Sequence, residues 1–205
     1  MITAKRVNTL ADLPEGRHEH IYDILEGQLI VCNVPDDNHD AVVTELFGML
    51  FAAQEAGYGR VSSATRAVAL DFPERGDAAQ DVTHPDLFFV LAHRVEPLRG
   101  PRALEGAPDL VIEVFSPTTR AEHRPGGDLW RAYERHGLPY YWLVDTGHRT
   151  MFQYTLTGEH YEGGRYDDAV VLAEGDLLTS PLFPTISMPV ERVFRNVLDR
   201  GEHRR

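Results

Sequence analysis

Three short apolar runs constrain this chain more than any other feature. They read DLFFV (residues 86–90), DLVIEVF (109–115) and YYWLVD (140–145). Each is rich in β-branched and aromatic residues and is bounded by Pro, Gly or Asp, the mark of a strand buried on both faces. Pro/Gly/Asp-rich loops are expected over 73–83 and 95–108. Apolar runs that alternate with helical segments argue for an α/β or α+β fold with a mixed central sheet flanked by helices.

The rest of the chain fills in around these runs. Residues 1–16 form a leader with little pattern, and one domain spans 17–195. A hairpin is expected over 22–33, turning at Glu26-Gly27. Asn38 is placed to cap a helix running to about Ala56 and closed by Gly57. His39, Val43, Leu46 and Leu50 share one of its faces, with Val42, Phe47 and Phe51 widening the stripe. Residues 59–71 suit two short strands about Ser62-Ser63. A second helix is expected from about Asp128 to His136, closed by Gly137. The alternation over 150–156 suits an exposed antiparallel strand, giving an extra antiparallel C-terminal hairpin. Residues 196–205 read as a polar tail.

Composition excludes several classes. A length of 205 residues is enough for a core without staples. No apolar run reaches the roughly 20 residues of a membrane helix, and the start lacks an apolar signal region. Cys32 is the only cysteine, which fits a reducing, cytoplasmic location. The net charge of −12 opposes sequence-independent binding to nucleic acid, which needs Lys and Arg against phosphates. Lys5 is the only lysine, so every other basic residue is arginine.

Two of the apolar runs carry an acid. Asp86 opens the first, after Pro85; Glu113 sits inside the second, between Ile112 and Val114. A lone acid in an apolar strand is costly to bury. A metal, an arginine or a proton must compensate it. Two carboxylates converging from adjacent strands would make a hard-oxygen site suited to Mg²⁺ or Mn²⁺. The structural alternative for Glu113 is an ion pair with a core arginine, or an exposed strand edge. His18 and His20 form an H-x-H pair with nothing to complete a zinc site, and Asp36-Asp37 suits a helix dipole. Trp130 and Trp142 read as core or interface residues.

Several strings, in order, resemble one family. HPDLFFV (84–90) and APDLVIEVFSP (107–117) are similar to the two signature strings of the Uma-two family, also called the "putative restriction endonuclease" domain family. YDILEGQLI (22–30) resembles its opening hairpin, His39 the histidine that starts its first helix, and Tyr133, Gly137 and YWLVD (141–145) its downstream segment. SPLFPTI (180–186) resembles its usual ending.

The resemblance implies a restriction-endonuclease-like, PD-(D/E)XK fold. It implies Asp86 and Glu113 as metal ligands, the Val114 carbonyl as a third ligand, Glu26 as an extra acid and His39 as a further site residue. The lysine of that fold is missing: Phe115 stands two residues after Glu113, and Leu129 stands at the alternative position four residues before Tyr133. Arg120, Arg124 and Arg131 are the substitutes by position, able to supply charge though not general-base chemistry. The implied activity is Mg²⁺- or Mn²⁺-dependent endonucleolytic hydrolysis of DNA. The alternative is a catalytically inactive binding module, a homodimer using exposed aromatic strands around Phe152 and Tyr154. A transition-metal hydrolase using the histidines is a third reading.

Overall fold

The computed structural model describes residues 22–31, 36–71, 81–115, 124–158 and 164–198. The leader, His18, His20, Cys32, Arg120 and most of the 73–83 loop lie outside the described residues. The elements run β1 (Tyr22–Leu25), β2 (Gln28–Val31), α1 (Asp37–Glu55), β3 (Gly59–Ser63), β4 (Ala67–Ala69), β5 (Val82–Thr83) and β6 (Leu87–Leu91). After a 3-10 turn come β7 (Ala103–Glu105), β8 (Leu110–Phe115), α2 (Asp128–Arg135), β9 (Tyr140–Asp145) and β10 (Thr150–Thr157). The chain continues through β11 (Arg165–Tyr166), β12 (Val170–Leu172), β13 (Leu177–Thr179), β14 (Ser187–Pro189) and α3 (Val190–Val193).

The three apolar runs become β6, β8 and β9, neighbours in a seven-stranded sheet ordered β11-β10-β9-β8-β6-β3, with β12 also on β10. Only β8 and β9 in this sheet pair in parallel. Both faces of these strands are covered, which is why their sequences lack alternation. Leu87, Phe89, Leu110, Ile112, Val114 and Trp142 pack with Val42, Leu46, Met49 and Leu50 of α1. On the other face Phe88, Val90, Val111, Phe115 and Tyr141 pack with Leu129, Trp130 and Tyr133 of α2. Burying each such side chain contributes about 1.5–3 kcal/mol. A five-stranded sheet, β2-β1-β5-β4-β7, is formed by the opening hairpin and the segments between the main strands. A separate antiparallel pair, β13 with β14, lies near the C-terminal end.

The opening hairpin turns where the sequence predicts. Glu26 (φ 50°) and Gly27 (φ 72°) both have positive φ, the two-residue turn that matches strand twist. Elsewhere the structure corrects the reading. Asp36, not Asn38, caps α1: its carboxylate accepts from His39 N at 2.9 Å. Asn38 instead exchanges two hydrogen bonds with the backbone of Leu198. Phe47 and Phe51 do not widen the buried stripe of α1; they stack on each other on its exposed side. The 95–108 loop holds β7, and Val82–Thr83 form β5.

The strand β10 is antiparallel but not an exposed aromatic surface. Tyr154 is buried against Trp130, Tyr141 and Tyr166, and Phe152 is half-buried against the same cluster. The Tyr154 ring is thus committed within one chain, while Phe152 keeps part of its surface exposed. The packed chain runs past α3. Asn196 donates to Glu45 at 3.2 Å, and Val197 is buried.

Candidate active site

The site begins where β6 and β8 part. Their ladder runs Phe89↔Leu110, Phe88↔Val111, Leu87↔Ile112 and stops there. Pro85 has no N–H to continue it. The Asp86 side chain takes over: its Oδ2 accepts from Val114 N at 2.7 Å. In return, Asp86 N faces Glu113 Oε2 at 3.5 Å, a long contact. The two acids sit 27 positions apart in sequence and meet across one gap in the sheet. In an extended strand a residue's N–H and C=O leave on the same edge. The Val114 carbonyl therefore faces the Asp86 edge as well.

Strand alternation decides what each residue meets. Ile112 and Val114 face α1, so Glu113 turns to the α2 face. There Tyr133 donates its hydroxyl to Glu113 Oε1 at 2.9 Å. From the opposite side the first turn of α1 brings His39, whose Nε2 lies 3.0 Å from Asp86 Oδ2. Its Nδ1 is buried without a hydrogen-bond partner among the described residues. Among the described residues, the side-chain contacts of Asp86 are made through Oδ2.

Glu113 is buried (5 % exposed), and among the described residues no arginine lies against it. Burial, then the charges of Asp86 and Asp23, push its carboxyl well above the ordinary range, although the Tyr133 hydrogen bond opposes them. Burial, then the Glu113 charge, likewise pushes the Tyr133 hydroxyl up, keeping it protonated as a donor. Burial works against charge on His39. The hydrogen bond and charge of Asp86, with Asp36 and Asp40, outweigh it and raise the imidazole.

Of the residues expected at the site, Asp86, Glu113, Val114 and His39 come together. Glu26 instead lies in the β1–β2 turn, exposed, with Oε1 held by Arg135 Nη1 at 3.2 Å. Arg135 in turn pairs with buried Asp81 at 2.7 Å, beside His136. Arg124 is exposed and makes no side-chain contact with either acid, and Arg131 pairs on the surface with Asp128. Phe115 and Leu129, where the resemblance would place a lysine, are both buried in the α2-side core. Among the described residues His39 is the one ion-pairing side chain that reaches either acid.

Sequence reading missed Asp23 and Tyr133 as site residues. Asp23, on β1, accepts from His84 N at 2.8 Å and adds a third carboxylate near Glu113. The donors are hard oxygens, and Mg²⁺ or Mn²⁺ could sit on Asp86 and Glu113. No described group of three or more His, Cys, Asp or Glu is arranged as a metal cage. A site that takes one or two carboxylates and keeps waters on Mg²⁺ needs none.

The Uma2 family model, described as "Putative restriction endonuclease", matches residues 7–191. This chain belongs to the Uma2 family. No curated protein matches it. A crystal structure from Anabaena variabilis ATCC 29413, described as a putative nuclease belonging to DUF820, shares the fold at a TM-score of 0.63. The identity is 21%, over 92% of this chain and 96% of that one. This Uma2 protein is thus an α+β chain with the fold of that "putative nuclease". No described helix is long and apolar enough to cross a membrane.

Proposed function

We propose that this Uma2 protein is an endonuclease that hydrolyses phosphodiester bonds of DNA with Mg²⁺ or Mn²⁺ held by Asp86 and Glu113. One observation carries the reading: the two acids are neighbours at a gap in the sheet, and among the described residues no arginine lies against either. The oxygens fit the ion. When bound, the ion would lower the pKa of a coordinated water and offset charge on the phosphate. Asp86 offers Oδ1, since Oδ2 is taken by Val114 N and His39. Tyr133 fixes Glu113 through Oε1 and leaves Oε2 turned toward Asp86. The Val114 carbonyl, on the same edge, supplies a third oxygen. His39 orients Asp86 and holds a proton at Nε2, placing one positive charge beside the acids in a chain without the usual lysine.

The test is cleavage of single- and double-stranded DNA over a range of salt with and without Mn²⁺, beside calorimetric titration of the metal. The expected result is metal-dependent cleavage that falls by at least about 10²-fold in Glu113→Ala, with the heat of metal binding lost. No cleavage by the unaltered protein under any of these conditions would sink the reading.

Phe115 and Leu129 favour a second reading, a catalytically inactive module that keeps the scaffold. It predicts neither cleavage nor metal heat, and unchanged folding in Glu113→Ala.

A further inference from the structure

The strongest unassigned feature is a cleft at the β3 edge of the large sheet. Arg60, Arg66 and Arg99 line it with Ser62, over the apolar floor of Phe88 and Val90. Among the described residues no carboxylate lines it. In a chain of 32 acidic and 20 basic residues, that is a local reversal of sign.

Strand pairing builds the cleft. Arg60 lies opposite Val90, and Ser62 opposite Phe88. Directly paired residues share a sheet face. Arg60 and Ser62 therefore project on the Phe88 and Val90 face, the one to which Glu113 also turns. Arg66 is fixed there by two backbone carbonyls, Gly100 O and Ala103 O, each at 3.1 Å, which cancel none of its charge. Arg99 pairs only with Glu96 among the described residues, at the surface, an interaction worth less than about 1 kcal/mol. Arg60 has no ion pair among the described residues.

The cleft is tied to the acid pair through the backbone. The turn after β3, which leads to Arg66, donates Ala64 N to Asp86 O at 3.2 Å. Its enclosed volume, about 20 Å³, holds about one water. Pockets that engulf small molecules measure roughly 300–1,000 Å³. The shape suits a chain of anions lying across the rim rather than a ligand inside.

We propose that this cleft grips the backbone of the DNA substrate: successive phosphates lie across Arg60, Arg66 and Arg99, which leads the strand toward Asp86 and Glu113. The proposal rests on the nuclease reading and adds the surface that reading lacks in an acidic protein. Guanidinium forks suit phosphate oxygens, and an arginine-only rim needs no lysine.

The experiment measures anisotropy of a short labelled duplex in EDTA, where metal-dependent cleavage is blocked, across a salt series. Unaltered protein is compared with Arg60→Ala/Arg99→Ala, whose thermal unfolding reports that it is folded. Binding is expected to weaken about tenfold or more, and the slope of log K against log salt to fall by about 2, near 0.9 for each phosphate no longer neutralised. Unchanged affinity and slope in the double variant would overturn the grip, as would absence of duplex binding by the unaltered protein at low salt. Displacement of the duplex by millimolar inorganic phosphate, bound as tightly, would also overturn it and mark a small-anion site. Cleavage with Mn²⁺ is scored separately. Arginine-dependent binding without cleavage sinks the nuclease reading and leaves the grip; cleavage with binding indifferent to the arginines does the reverse.

Discussion

Tyr133 holds Glu113 in a place where a carboxylate is otherwise unwelcome. Its hydroxyl is the influence that most opposes the rise caused by burial and by Asp86 and Asp23. Tyr133→Phe removes the donor and keeps the ring. Glu113 then binds its proton more tightly still, so uptake of the proposed metal, which needs the carboxylate, is expected to move to higher pH. Calorimetric titration of Mn²⁺ at a series of pH values checks this; an unmoved profile would contradict the assignment. Asp86 and Glu113 were legible in the sequence because an acid in an apolar run stands out. Asp23 was not, because an acid in a hairpin strand looks solvated until the fold brings it beside Glu113. Tyr133 stood out only as part of the family's downstream string and not as a site residue, since its ring serves the core and only its oxygen reaches Glu113.

At the scale of elements, the sequence showed the three central strands and both main helices, because their burial is continuous or periodic. It misjudged faces that depend on which neighbour arrives. Phe47 and Phe51 of α1 are the clear case, and Glu45 of the same helix went unread. This buried acid on the core side of a helix is compensated by residues 147 to 151 positions away: Arg192, Arg195 and Asn196 all donate to it. The cluster fastens the segment after β14 onto α1. Glu45→Ala is expected to cost about 1–2 kcal/mol, less than the 3–5 kcal/mol of a fully buried pair, because both guanidinium groups are half exposed. Urea unfolding measures it. Glu45→Gln, which keeps an acceptor, should recover part of the loss.

For the whole molecule, the ion cluster around Asp81 joins the small sheet to the C-terminal end of α2. Burial works against the Asp81 charge. Hydrogen bonds from His136, Arg135 and the Glu26 amide outweigh it and hold the carboxyl well below its ordinary range. A carboxyl depressed in the folded state adds stability above its unfolded pKa and loses it as pH falls through the folded one. The chain should therefore lose about 1–3 kcal/mol from this group below about pH 5. Asp81→Asn should be less stable than the unaltered protein at pH 7, with the gap narrowing in acid; a gap that stays constant would contradict the linkage. The gap between β6 and β8 has a wider consequence. Asp86 Oδ2 stands in for a missing rung of the sheet, and the proposed function assigns its twin oxygen to the ion. Under that proposal, loading and strand integrity draw on a single carboxylate. Occupancy should register as a change in amide exchange at Val114, a reporter built into the scaffold that reads the site without any substrate present.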